Sequence, residues 1–127
     1  MPHLHDGPST AADLTLGLGA RQELLAECLV RLLQFAWRKG FTARINEVKR
    51  DPRIAQLNAQ SGAGIKNSLH LDGLAVDLNL FLGGKYLPDT EDHRALGEYW
   101  ESLHPLCRWG GRFNDGNHYS ITWQGRK

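Results

Sequence analysis

Ser68-Leu69-His70-Leu71-Asp72-Gly73-Leu74-Ala75-Val76-Asp77 is the stretch that decides how this chain folds. It sets an imidazole and a carboxylate seven residues apart with a glycine between them. In a helix that offset spans about 10.5 Å along the axis, and in an uninterrupted strand an odd offset sends the two side chains to opposite faces. Neither geometry brings His70 and Asp77 onto one ion with bonds of roughly 2 Å. A turn is therefore expected between them. Gly73 permits it, because glycine takes positive φ without steric cost.

Beyond that turn the sequence alternates. Val76, Leu78 and Leu80 fall on one side, and Ala75, Asp77, Asn79 and Phe81 on the other. This is a strand with an aliphatic core face and with Asp77 on the open face. Residues 118 to 123 alternate in the same way, with Tyr119, Ile121 and Trp123 opposite His118, Ser120 and Thr122. His118 is expected at the start of a strand, facing the polar side of the sheet. Asp115, set back by the Asp115-Gly116 turn signal, is placed to reach a water beside an ion rather than the ion itself.

Two imidazoles, one carboxylate and a spare carboxylate make up the donor set of a catalytic zinc site, which takes three protein ligands and leaves one position open. A structural site closes with four Cys or His. With only Cys28 and Cys107 in the chain, a closed thiolate site is not expected. Zinc lowers the pKa of a bound water toward ~7 and polarises a carbonyl, and a nearby carboxylate moves the proton. A guanidinium fixed on the developing oxyanion adds a stabilisation on the order of 3 kcal/mol. Amide hydrolysis needs all three functions.

These residues carry a family resemblance. SxHxxGxAxD at 68 to 77, Trp109-Gly110-Gly111, and DxxH at 115 to 118 resemble the M15 metallopeptidases, and the likeness extends over roughly 41 to 123. That family includes VanY-like D-alanyl-D-alanine carboxypeptidases and the L-alanyl-D-glutamate peptidases used as bacteriophage endolysins. The resemblance implies that His70, Asp77 and His118 bind Zn2+ and that Asp115 is the general base. A DxxH ending, in place of ExxH, is more similar to the endolysin branch. Upstream, Ile45-Asn46-Glu47-Val48-Lys49-Arg50 and Gln56 resemble the family's strand carrying an Arg and a nearby Gln. By that analogy Arg50 steadies the oxyanion, and Gln56 and Ser68 contact substrate. The chain departs from the pattern at Val48, where a small residue is expected, and at Asp51, where Ser or Thr is expected.

The function so implied is a zinc-dependent peptidoglycan peptidase that cleaves the stem peptide. It would be of the L-alanyl-D-glutamate endopeptidase type and act as an endolysin in host lysis. A D-alanyl-D-alanine carboxypeptidase of wall metabolism is the alternative, and a non-catalytic zinc-binding module is a third reading. Asp115 speaks against the third, since that carboxylate is dispensable for holding metal.

Composition bounds the remainder. The chain has 127 residues, 41% hydrophobic and 23% charged, which describes one ordinary globular domain. A net charge of +1 gives no clustered field for nucleic acid. Arg44, Lys49, Arg50 and Arg53, with Arg108, Arg112, Arg126 and Lys127, suggest a basic face suited to an anionic wall polymer, although a solvated surface is the plainer reading. The two cysteines lie in different segments and do not make a disulfide framework; Cys28 sits on an apolar helical stripe. The N-terminus lacks the basic region and apolar run of a signal peptide, and no stretch has the length of a membrane span. Synthesis in the host cytoplasm is expected, then passage to the periplasm and wall with a holin as functional partner. A monomer is the default state.

Along the chain, residues 1 to 19 read as a flexible arm, in which His3 and His5 lack support for ligation. Residues 20 to 127 read as one catalytic domain. A helix is expected over 20 to 39, with Leu24, Cys28, Leu32, Phe35 and Ala36 buried and Gly40 as the stop. A strand from Phe41 to Val48 follows, then a short helix opened by Asp51-Pro52 and reaching Ala59, then a loop from Ser61 to Asn67. Gly83-Gly84 signals a hairpin. Thr90 is read as the N-cap of a helix that buries Leu96, Tyr99, Trp100 and Leu103 and ends at Pro105, with His93 and His104 as surface residues at its ends. The fold class expected is α+β, a small, mostly antiparallel sheet with helices on one face and the metal site on the other.

Overall fold

The computed structural model describes residues 15–47 and 69–126. The helix expected over 51 to 59, the loop over 61 to 67, and Ser68, Arg50 and Gln56 lie outside the described residues. Helix α1 spans Leu18–Arg38, and the first strand, β1, follows over Phe41–Glu47. A short 3-10 turn covers Leu69–Asp72, after which β2 (Ala75–Leu82) and β3 (Lys85–Leu87) form a hairpin. A second 3-10 turn at Thr90–His93 leads into α2 (Arg94–Leu103), and then come β4 (Cys107–Trp109), a third 3-10 turn at Gly110–Phe113, and β5 (His118–Ile121).

The sheet is antiparallel throughout, in the order β1-β2-β5-β4, with β3 also paired to β2. β5 pairs Ala75 to Asp77 and β3 pairs Leu80 to Leu82, so the two strands share one edge of β2 while β1 takes the other. Gly83 and Gly84 have φ of 58° and 80°, the two positive values that a tight hairpin turn of matching twist requires.

Alternation along the strands sorts the two faces as expected. Val76, Leu78, Leu80, Tyr119 and Ile121 are fully buried and meet Leu24, Cys28, Leu32 and Ala36 of α1 and Leu96 and Trp100 of α2. Complete burial of each such aliphatic side chain contributes about 1.5–3 kcal/mol. Phe35 and Tyr99 are half-buried and stack at 4.1 Å between ring centroids, joining the two helices. Tyr99 and Leu103 are thus less enclosed than the helical spacing suggested.

Three expectations are corrected. The helix α2 starts only at Arg94, with His93 at its N-cap; Asp89 caps the 3-10 turn before it, and the Asp89 N–H donates to the Asp92 carboxylate at 3.0 Å. His93 and His104 are buried instead of exposed. His93 Nδ1 shares a 2.7 Å hydrogen bond with the Tyr119 hydroxyl, and His104 Nδ1 accepts from the Leu106 N–H at 3.0 Å. Ser120, expected on an open polar face, is fully buried, and its hydroxyl has no partner among the described residues. Periodicity located the helix and strands, but which polar ends are covered depends on tertiary packing that periodicity does not carry.

Three of the described basic residues are engaged locally. Arg112 pairs with Glu101 at 2.8 Å, Arg126 with Asp72, and Arg108 donates to the carbonyls of Pro105 and Cys107. Cys28 and Cys107 are free and buried, with their sulfurs 3.6 Å apart across the α1–β4 contact. The neighbouring Cys28 thiol, then burial, pushes the Cys107 thiol well above its ordinary range, so it stays protonated. Among the described residues no helix is long and apolar enough to cross a membrane.

Candidate metal centre

Asp77 and His118 are cross-strand partners in the register of β2 and β5, which puts both side chains on the face away from the helices. His70 reaches the same point by the predicted turn. Gly73 has φ of 69°, its N–H donates to the His70 carbonyl at 3.3 Å, and the Leu74 N–H closes onto the Leu69 carbonyl at 3.0 Å. The chain thereby doubles back so that residues 70 and 77 meet.

His70 Nε2 lies 3.2 Å from Asp77 Oδ1, and His118 Nδ1 lies 3.3 Å from the same oxygen. One donor atom from each of the three residues falls within 4.8 Å of the others. Four-coordinate zinc with bonds of ~2.0–2.2 Å needs neighbouring donors roughly 3.3–3.5 Å apart, so this donor set fits the ion in chemistry, and its two His–Asp edges fit in spacing. Both histidines are buried, at 3% and 7% exposure, which holds the imidazoles in place instead of leaving them to sample solvent. Burial acts to raise the Asp77 carboxyl, but hydrogen bonds to His118 and His70, with their charge, outweigh it and bring it to about 2. Asp77 is thus ionised, the state in which a carboxylate can hold a metal ion.

Asp115 is exposed and lies within electrostatic reach of all three. Lost hydration is the largest influence on its carboxyl, raising it above the usual carboxylate range; His118 opposes this, Asp77 reinforces it, and His70 opposes it. Asp115 has no direct bond to His70, Asp77 or His118 side chains among the described residues, in keeping with a role beside the ion and not on it.

The Trp109-Gly110-Gly111 element explains itself here. Trp109 is fully buried, and its ring would collide with a Cβ at Gly97 or at Gly111. A Cβ at Gly110 would strike the Asp115 carbonyl and the His118 side chain. The glycines therefore let the indole and the loop carrying Asp115 pack against one another, and Trp109 Nε1 donates to the Gly116 carbonyl at 2.7 Å. Two neighbours of the site are not marked by the sequence as site residues. Phe113 is half-exposed with its ring 6.1 Å from that of His118, and Thr90 touches Gly116. An exposed aromatic two residues before Asp115 was the available signal for the first; nothing local pointed to the second.

Residues 61–121 match the model of a peptidase family, one of the M15 group, described as D-alanyl-D-alanine carboxypeptidase. No curated protein sequence matches the chain. Among solved structures, the fold is similar to that of the L-Ala D-Glu endopeptidase ChiX of Serratia marcescens, with a TM-score of 0.61 and 20% sequence identity over 89% of this chain and 92% of that one. The matched segment contains His70, Asp77, Asp115 and His118 together, and over it the chain is similar to the M15 peptidases.

Proposed function

We propose that the protein is a zinc-dependent peptidase that hydrolyses the stem peptide of peptidoglycan, of the L-alanyl-D-glutamate endopeptidase type, and that it serves as a bacteriophage endolysin. The observation that carries the reading is the convergence of one donor atom each from His70, Asp77 and His118 to within 4.8 Å of one another, with the Asp115 carboxylate near enough to feel their charge. His70 Nε2, His118 Nδ1 and a carboxylate oxygen of Asp77 would hold the ion. Zinc so held supplies Lewis acidity, which acidifies a water and polarises the scissile carbonyl.

The remaining work falls to the chain. Asp115 takes the proton from the attacking water and returns it to the departing amine, a transfer worth about 10²–10⁴ in rate. Phe113, beside His118, forms an apolar wall for a small side chain of the peptide. Arg50, Gln56 and Ser68 keep the roles suggested by resemblance, on the oxyanion and along the substrate.

The endopeptidase type is favoured by the DxxH ending and by the structural neighbour's stated activity. The D-alanyl-D-alanine carboxypeptidase remains the second reading, favoured by the description of the matched family. Digestion of purified wall followed by mapping of new termini separates them. A new N-terminal glutamyl group is expected; release of free D-alanine alone would establish the carboxypeptidase. The lytic setting, with a holin giving access to the wall and the enzyme acting as a monomer, is tested by co-expression with and without a holin and by sedimentation.

A further inference from the structure

The base must be aimed, and its own side chain does not do it. Among the described residues the Asp115 carboxylate accepts no hydrogen bond. Its direction is therefore set by the backbone of the Asp115-Gly116 loop, and each polar group of that loop is held. The Asp115 N–H donates to the Gly110 carbonyl at 2.8 Å, and the Asp115 carbonyl accepts from the His118 N–H at 3.1 Å. The Gly116 carbonyl accepts from Trp109 Nε1 at 2.7 Å, and the Gly116 N–H donates to the Thr90 hydroxyl at 3.2 Å.

Three of those four bonds arise within residues 109 to 118. The fourth comes from a separate element, the 3-10 turn that precedes α2. The approach is close: a Cβ on Gly116 would lie 2.5 Å from the Thr90 Cα, so residue 116 has to be glycine for the two backbones to meet. Thr90 is freed for this contact because Asp89, and not Thr90, caps the turn.

We infer that Thr90 is a positioning residue for the general base, its hydroxyl fixing the Gly116 amide and so the direction in which Asp115 presents its carboxylate to the water. The inference rests on the function proposed above, in which Asp115 moves the proton. Thr90 is not among the candidate metal ligands. Its loss acts on kcat through misplacement of the base, because a shift of about 1 Å in a reacting group costs up to about a hundredfold in rate.

The experiment compares wild type, Thr90→Val, Thr90→Ser and Asp115→Ala, each as zinc-loaded full-length protein. A soluble stem peptide is the substrate, both candidate products are followed, and zinc content is measured alongside. Thr90→Val keeps the shape and removes the hydroxyl. It is expected to lower kcat by about ten- to a hundredfold with KM within about twofold and zinc content unchanged. Thr90→Ser is expected to restore kcat to near wild type. Amide hydrogen exchange supplies a second readout that does not depend on turnover: the Gly116 amide should lose protection in Thr90→Val while the β5 amides keep theirs. Wild-type kcat in Thr90→Val, or an unchanged Gly116 amide, overturns the inference. So does a loss that Thr90→Ser does not rescue. Asp115→Ala separates this from failure of the underlying reading: if it turns over like wild type, Asp115 is not the base, whereas its inactivity beside an active Thr90→Val removes only the role of Thr90.

Discussion

Asp77 and His118 stand directly opposite one another on β2 and β5, with Oδ1 and Nδ1 3.3 Å apart on the face of the sheet that turns away from the helices. Partners across antiparallel strands have Cβ atoms about 4.5–5.5 Å apart, so the register itself delivers two of the three candidate ligands. A slip of one residue would send one of them into the aliphatic core, and the burial of Val76, Leu78, Tyr119 and Ile121 on the opposite face therefore locks the site as firmly as it locks the fold.

His70 and Asp115 should separate cleanly by mutation. His70→Ala removes a donor and is expected to abolish stoichiometric zinc binding. Asp115→Ala is expected to keep zinc and lose about 10²–10⁴ in turnover. Elemental analysis beside a peptide-release assay checks both, and wild-type lysis by Asp115→Ala would show that the base has been wrongly assigned.

The third candidate ligand, His70, depends on Gly73, whose φ of 69° lies in the left-handed region. A β-branched residue is strained there, at about 1–2 kcal/mol or more. Gly73→Val is expected to displace His70 and weaken zinc binding at least about tenfold, while the far-ultraviolet circular dichroism stays that of the wild type. Competition with a chromogenic chelator measures the affinity, and an unchanged value would mean that the turn does not govern the ligand.

Trp109 fills the space that Gly97 leaves on α2. Gly97→Ala puts a methyl group into the indole, and the overpacking is expected to cost about 1–3 kcal/mol. The same displacement disturbs the Trp109 bond to Gly116, so activity should fall further than stability alone accounts for. Denaturant melts and turnover measured on the same variant test this; a Gly97→Ala protein as stable as wild type would contradict the packing described.

His93 gives the fold a predictable response to acid. Burial lowers it from its ordinary 6.5 to about 4, partly opposed by Asp92, and it stays neutral against the Tyr119 hydroxyl. The unfolded chain then takes up a proton near pH 6.5 that the folded chain resists until about 4, so stability falls as pH drops through that window. His93→Gln is expected to flatten this part of the profile in urea melts between pH 7 and 4. An unaltered slope would place the acid sensitivity elsewhere.

Much of the centre was legible because its determinants are local. The odd offset between His70 and Asp77 demanded a turn at Gly73, and alternation about Leu78 and Tyr119 assigned the faces. What escaped was set by contacts distant in sequence. Thr90 carries a good capping side chain, but Asp89 precedes it with Asp92 in reach, which released Thr90 to meet Gly116. His93 and His104 look like helix-end surface residues until the sheet closes over them. Alternation puts Ser120 on the polar side of the sheet, and parity says nothing about what covers a face.

The central claim is that this chain works through one zinc ion, and metal content measured together with lysis tests it most directly. Purified protein should carry about one equivalent of zinc and clear permeabilised Gram-negative cells. It should stop when a chelator strips the metal and recover when zinc is returned. Undiminished clearing by the metal-free protein would contradict the account.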